Sequence, residues 1–78
     1  MLTSEQCRAA RGLLDWTQLD LSIHTALSVV SIRAFERGGV MRASNQNLLR
    51  LTFEAEGVQF IPENGGGAGV RFEERKIT

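Results

Sequence analysis

The chain has 78 residues with nine basic and nine acidic side chains, so its formal net charge is zero. Apolar residues make up 42% of it, which suits one small hydrophobic core and excludes a disordered chain. Its single cysteine, Cys7, and single histidine, His24, exclude a disulfide framework and a Cys/His zinc site. No apolar run approaches the roughly 20 residues of a transmembrane helix, and residues 1–5 lack the pattern of a signal peptide. We expect a single cytoplasmic domain with no metal, no cofactor and no membrane contact.

Three helical segments occupy the first half of the chain, and each begins at a residue suited to cap a helix. They are residues 4–14 after Thr3 or Ser4, residues 18–25 after Thr17, and a third segment after Ser28 that closes at glycines 38 and 39. Apolar residues recur at helical spacing in each segment. The predicted inward positions are Cys7, Ala10 and Leu14, then Leu19 and Ile23 with Leu21 adjacent, then Ile32 and Phe35.

The sequence of the second half of the chain predicts a fourth helix and two short strands. Ser44 is the expected cap of this helix, and Gly57 is its expected end. Its predicted buried face is broad and contains Leu48, Leu49, Leu51, Thr52, Phe53 and Ala55. Residues 58–61 and 70–73 then alternate on either side of a glycine-rich loop, which predicts a β-hairpin or a strand pairing between two chains. The expected fold is mostly α, with four helices and a short C-terminal β-hairpin or paired strand.

Residues 17–37 have the spacing of a helix-turn-helix motif, in which two short helices are joined by a turn of three to four residues. Leu21 lies in the middle of the first helix, and Leu27 lies in the turn. Ile32 and Phe35 would anchor the second helix. An ordinary helical hairpin in a small α domain is the alternative interpretation of this spacing.

Several strings of the chain match one family of regulators. They are Trp16-Thr17-Gln18-Leu19-Asp20-Leu21, Leu27-Ser28, Ser31-Ile32-Arg33 and Phe35-Glu36-Arg37-Gly38. In these residues the chain resembles the phage-repressor/Cro type of helix-turn-helix regulator, often called XRE-like. The string Glu56-Gly57-Val58-Gln59-Phe60-Ile61-Pro62-Glu63-Asn64-Gly65-Gly66-Gly67 is similar to the tail of one small bacterial subgroup of that family. The resemblance covers about residues 4–72 and implies a four-helix repressor-like domain that binds the major groove of double-stranded DNA.

The resemblance also implies roles for individual residues. Gln18 would touch a backbone phosphate, the start of the second motif helix would face the major groove, and Arg33 would lie one turn further on. The predicted DNA-binding residues are Thr17, Gln18, Ser28, Val29, Val30, Arg33 and Arg37. Arg11 and Glu36 correspond to the structural ion pair of the family.

The chain departs from the family pattern in two respects. The family usually carries glycine in the turn, where this chain has Ala26, and polar or basic residues where Val29 and Val30 stand. An exposed valine pair on this helix motivates an alternative function. In that alternative, the helix-turn-helix fold is a protein-interaction module, such as an antiactivator, that binds a regulatory protein instead of DNA.

The charge distribution bears on the number of copies that DNA binding requires. Residues 1–50 carry a net charge of +2 and residues 51–78 a net charge of −2. One copy would neutralise few phosphates and bind DNA poorly at physiological salt, so we expect a homodimer on an inverted repeat. We predict a DNA-binding domain over residues 1–57 and a β extension over residues 58–78. The extension would belong to the same compact domain or to the dimer interface.

The extension presents apolar residues at alternating positions. They are Val58, Phe60, Val70 and Phe72. Because a lone two-stranded hairpin is marginally stable in water, these residues must pack on the helices or on a second copy. Their contribution to the dimer interface is our prediction.

No pattern in the chain predicts catalysis. The glycine run 65–69 is followed by Val70-Arg71-Phe72, whereas a phosphate-binding P-loop continues with Lys-Ser/Thr and a helix. The carboxylates are scattered, and no nucleophile and base are spaced to act together. We therefore predict a transcriptional regulator that is not an enzyme, either a repressor or an autoregulator.

Overall fold

The computed structural model describes residues 1–73, which form four helices followed by a two-stranded sheet. The helices are α1 (Ser4–Leu14), α2 (Gln18–Thr25), α3 (Val29–Glu36) and α4 (Ala43–Ala55). The strands are β1 (Val58–Ile61) and β2 (Gly69–Phe72). The predicted mostly α fold with a short C-terminal hairpin is confirmed. Residues 74–78, the end of the predicted extension, lie outside the described residues.

The first three helices begin at capping residues that the sequence predicts. Thr3 and Thr17 each accept a hydrogen bond at 3.0 Å from the backbone N–H three residues further on. Gln6 and Asp20 complete two capping boxes, because their side chains accept from the N–H of the cap residue itself. Ser28 caps α3, since its hydroxyl oxygen accepts a 3.0 Å hydrogen bond from the backbone N–H of Ser31. Each such cap stabilises its helix by about 1 kcal/mol.

The start of α4 differs from the prediction. The helix begins at Ala43, with Arg42 before it and no side-chain cap, and Ser44 lies inside the first turn. This end is held from within the core, since Nε2 of buried Gln46 donates to the carbonyl oxygen of Met41 at 2.8 Å. A buried hydrogen bond between residues five apart in the chain thus takes the place of the predicted Ser44 cap.

All four helices and β1 contribute to one core. Its fully buried large side chains are Leu21, Ile32, Leu49 and Phe53, and Cys7 is also fully buried. Leu13, Leu14, Trp16, Leu27, Phe60 and Val70 pack against this core while keeping some exposure.

The predicted inward face of α2 is wrong. Leu21 and Thr25 are buried, whereas Leu19 and Ile23 are exposed. The Thr25 hydroxyl donates to the Leu21 carbonyl at 2.8 Å and accepts from the Leu27 N–H at 3.2 Å. Because these two bonds satisfy its hydroxyl, Thr25 can be buried, although the apolar pattern of the sequence predicts Leu19 and Ile23 at the buried positions.

The predicted buried face of α4 is too broad. Leu49 and Phe53 are buried, but Leu48, Leu51 and Ala55 are exposed to solvent. One stripe of α4 therefore fills the core, and a second apolar stripe has no partner within the described part of the chain.

The hairpin strands pair within the chain in an antiparallel register, with Val58 opposite Phe72 and Phe60 opposite Val70. Val58 is buried, and Phe60 and Val70 pack half-buried against the core. Val58 is therefore not free for the predicted dimer interface, whereas Phe60 and Val70 keep part of their surface exposed, and their role in that interface stays a prediction. Of the four residues assigned to that interface, Phe72 is the most exposed.

Gln6 of α1 attaches the hairpin to the helices. Its Nε2 donates to the carbonyl oxygens of Ile61 and Gly69, at 3.2 and 3.1 Å. Those two residues face each other at the loop end of the sheet. One buried amide thus closes the end of the sheet that the glycine-rich loop would otherwise leave without support.

Ala26, in the turn between α2 and α3, has a left-handed backbone with φ of 63°. A Cβ disfavours this conformation by about 1–2 kcal/mol. We expect Ala26→Gly to raise the free energy of unfolding by about 0.5–1 kcal/mol, because the relief of strain exceeds the entropy of a freer unfolded chain. Urea unfolding measures this change. The control is Ala9→Gly at an exposed position inside α1, where about 1 kcal/mol should be lost. A loss in both variants would contradict the prediction.

Candidate nucleic-acid interface

Helices α2 and α3 pack against each other across the turn formed by residues 26–28. The turn is fixed by Ser22, whose hydroxyl donates to the Leu27 carbonyl oxygen at 2.5 Å. Ile32 and Phe35 bury the inner side of α3. Because the inner side of α3 is packed in the core, its opposite side faces solvent.

The exposed residues Val30, Arg33 and Ala34 of α3, together with Arg37 directly after it, form what we call the α3 outer face. Their spacing of three, four and seven residues places them on one side of a helix. All four are exposed, and Val30 is 72% exposed. Val29 is half-buried, so the predicted valine pair is divided between two environments. Ala34 was not among the predicted DNA-binding residues, although it lies four residues after Val30 and therefore on the same side of the helix.

The α3 outer face and the loop after it carry only positive charge. Between residues 21 and 53 the chain has a single acidic residue, Glu36, and this residue is buried. Arg33, Arg37 and Arg42 are exposed in this region. Within residues 1–73 the salt bridges are Arg11–Glu36 and Arg50–Glu54, so these three arginines have no acidic partner there. Arg42 was not among the predicted DNA-binding residues.

Two predicted DNA-binding hydroxyls lie at helix starts. Thr17 and Ser28 are exposed, and each already accepts a hydrogen bond as a cap. The Ser28 hydroxyl also donates to Oγ of Ser31 at 2.9 Å. Acceptance of the cap bond leaves the Thr17 O–H able to donate to a phosphate, whereas a donation from Ser28 would replace its bond to Ser31.

Glu36 lies behind the outer face, where α1, α2 and α3 meet. Nε and Nη2 of Arg11 donate to its two carboxylate oxygens, both at 2.7 Å. The ion pair that the resemblance implies is thus present and bidentate. The Glu36 side chain is 3% exposed and that of Arg11 is 20% exposed, so the pair is largely removed from water.

Two further side chains donate to the same carboxylate. They are Gln18, through Nε2 at 3.1 Å, and Cys7, through its thiol at 3.2 Å. We call Cys7, Arg11, Gln18 and Glu36 the Glu36 cluster. Gln18, which was predicted to touch a phosphate, therefore has an internal partner. Two sequence signals point to this cluster: the Arg11–Glu36 pair that the family resemblance implies, and the spacing of Cys7 and Arg11, one helical turn apart.

Ionisation follows from the geometry of the Glu36 cluster. Burial alone would raise the pKa of Glu36, but the hydrogen bonds from Arg11, Gln18 and Cys7 outweigh it and hold the pKa below its ordinary value of 4.5. Burial and the neighbouring carboxylate raise the pKa of the Cys7 thiol, which stays protonated and acts as a donor. The cluster therefore contains one carboxylate and one guanidinium, which neutralise each other.

No protein-family model and no curated protein matches the chain. Within residues 1–73, no three His, Cys, Asp or Glu side chains are grouped so that they could hold a metal ion. The helices of this described part are each too short or too polar to cross a membrane.

Proposed function

We propose that the protein is a sequence-specific DNA-binding transcriptional regulator of the cytoplasm, a repressor or autoregulator that binds an inverted repeat as a homodimer. The observation that carries the proposal is the α3 outer face. It belongs to the second helix of a helix-turn-helix arrangement, its side chains are exposed, and its charged groups are all basic. An α-helix with such a face fits the major groove of B-form DNA.

The chemistry of the α3 outer face suggests how it would bind DNA. Arg33 carries the paired N–H donors that recognise O6 and N7 of guanine. Val30 offers methyl groups that can contact the C5-methyl of thymine. Arg37 and Arg42 follow the last residue of α3 and are exposed, so phosphate contacts there would fix the position of the helix. The expected half-site contains a thymine and a nearby G·C pair, and half-site centres lie about 10 base pairs apart or a multiple of that.

We expect Arg33→Ala to weaken binding of the preferred site by about 1–3 kcal/mol and to relax the preference at one base pair. Arg42→Ala is the matched control, because it removes the same charge from a residue that we expect to contact a phosphate and not a base. It should weaken all sequences alike and reduce the dependence of binding on salt. Selection of bound sequences from a random duplex pool supplies the site, and binding curves over a salt series measure both effects. Failure to enrich any sequence would refute the proposal.

One observation favours the alternative of a protein-interaction module. Val30 and Val40 are exposed beside a shallow cleft between α3 and the start of α4, which Ala34, Met41 and Arg42 also line. Such a surface could accept apolar side chains of a regulatory protein. The two functions respond differently to substitution. A partner protein would be lost with Val30→Asp and kept with Arg33→Ala, and in that case no duplex sequence would be enriched.

A further inference from the structure

Helix α4 carries two separate apolar stripes. Leu49 and Phe53 form the first stripe and fill the core. The second consists of Leu48, Leu51 and Ala55, preceded by the uncharged Ser44 at the same spacing, and we call these four residues the α4 seam. All four are exposed, with Leu48 at 37% and Leu51 at 50%. The successive spacings of four, three and four residues are those of the heptad seam through which one helix packs against another.

The α4 seam is uncharged along its whole length. The two charged residues inside α4, Arg50 and Glu54, lie on another side of the helix and pair with each other at 2.9 Å. Thr52 borders the seam, and its hydroxyl donates to the Leu48 carbonyl at 2.8 Å. The Thr52 hydroxyl is therefore satisfied within the helix, and the Ser44 hydroxyl, at the first position of the seam, is the one polar side-chain group in the seam itself.

We infer that two copies of this chain associate through the α4 seam. The inference rests on the proposed function, which requires two copies. A two-fold axis places a surface against the same surface of the second copy. An uncharged heptad seam is complementary to itself under that symmetry. The α3 outer face is not, because it would place its arginines opposite the same arginines.

The other exposed apolar positions are weaker candidates for this contact. On the hairpin, Phe72 remains exposed, but Val58 is in the core and Arg71 lies beside Phe72. On α2, Leu19 and Ile23 form a stripe of two positions on an eight-residue helix. At about 1.5 Å per residue, α4 with its 13 residues provides a longer seam than α2.

The size of the α4 seam limits the strength of the dimer. One pair of short helices buries an area at the low end of the range found for specific interfaces. We therefore expect a reversible dimer that dissociates on dilution, and DNA binding that rises steeply with protein concentration. Two bound copies on one operator would stabilise each other through this contact.

Charge substitution at Leu51 tests the seam in the full chain. Leu51→Glu and Leu51→Lys should each be monomeric by sedimentation at concentrations where the wild type is dimeric. An equal mixture of the two should dimerise again, because opposite charges then face each other near the two-fold axis. Ile23→Glu is the matched control, since it introduces the same charge at an exposed apolar residue of α2 and should leave the dimer intact. Circular dichroism verifies that every variant is folded.

The outcomes separate this inference from the proposed function. If Leu51→Glu remains as dimeric as the wild type, or if the mixture does not recover the dimer, the seam is not the interface. If the wild type is monomeric at all concentrations, the inference also fails. In each of these cases the proposed function is tested separately by the selection from a random duplex pool. It stands if the wild type enriches one sequence and fails if no sequence is enriched. Dissociation with Ile23→Glu instead would place the contact on α2 and overturn the inference.

Discussion

Glu36→Gln is expected to lower the free energy of unfolding by about 3 kcal/mol, because it leaves a largely buried guanidinium without its counter-charge. The Arg11 side chain is 20% exposed and donates two 2.7 Å bonds to Glu36. After the substitution, one of its N–H groups would face an amide NH₂ in place of a carboxylate oxygen. The carboxylate also accepts from Gln18 and Cys7, so helices α1, α2 and α3 are all affected.

Two controls isolate the effect of the Glu36 substitution. Glu54→Gln breaks the exposed i,i+4 pair with Arg50 and should cost under about 0.5 kcal/mol. Replacing both members of the buried pair, Arg11→Met with Glu36→Met, should recover much of the lost stability, because no unpaired charge then remains. Urea unfolding compares the variants. An equal loss for Glu36→Gln and Glu54→Gln would show that burial adds nothing to the Arg11–Glu36 pair.

Acid unfolding provides a second measurement of the same carboxylate. The folded state lowers the pKa of Glu36 below its ordinary value of 4.5. Its contribution to stability is therefore fully present above that ordinary value and is lost as the pH falls through the lower folded pKa. The melting temperature of the wild type should fall over this acidic range more than that of Glu36→Gln. Glu5, Asp20 and Glu63 also have lowered pKa values, but they are common to both proteins and cancel in the comparison.

The elements that the sequence predicts well are those decided by neighbouring residues. Thr3, Thr17 and Ser28 cap their helices through bonds to groups three residues away, so their effect can be recognised without knowledge of the fold. The hairpin follows in the same way from two alternating segments around glycines. Ser44 failed as a cap because the Gln46 amide binds the Met41 carbonyl at the start of α4, and the burial of this polar side chain is not visible in the apolar pattern.

The inward faces of α2 and α4 required information that the apolar pattern lacks. Thr25 counts as polar in the sequence, yet two hydrogen bonds satisfy its hydroxyl inside the protein. In α4 the pattern combined two stripes into one broad face, because Leu48 and Leu51 are as apolar as Leu49 and Phe53. Only the packing of the other elements shows which of them is left exposed.

The Glu36 cluster connects the stability of the domain with its proposed surface chemistry. Glu36 is the one acidic residue between positions 21 and 53, and its burial removes negative charge from the surface of α3. The same carboxylate holds α1 and α2 against α3 through Arg11 and Gln18. An exposed glutamate on α3 would weaken the attraction of the outer face for phosphate. One side chain therefore both positions this helix and leaves its exterior basic.

The largest loss of stability from an apolar substitution is expected for Phe53→Ala. Phe53 is fully buried on α4, with its ring centroid 6.1 Å from that of Trp16 and 6.1 Å from that of Phe60. These neighbours belong to the α1–α2 connection and to β1, so one ring joins three parts of the fold. Replacing a buried phenylalanine with alanine costs about 3–5 kcal/mol, because transfer energy is lost and a cavity is left behind.

A loss of that size is comparable with the whole stability of this domain. At about 0.05–0.15 kcal/mol per residue, a chain of 78 residues is stable by about 4–12 kcal/mol. Phe53→Ala should therefore be largely unfolded near 37 °C or melt far below the wild type in calorimetry. Phe72→Ala is the control, because its ring is 48% exposed on β2 and its removal should cost under about 1 kcal/mol. If the two variants melt at similar temperatures, the packing of α4 on Trp16 and the hairpin does not hold the fold together.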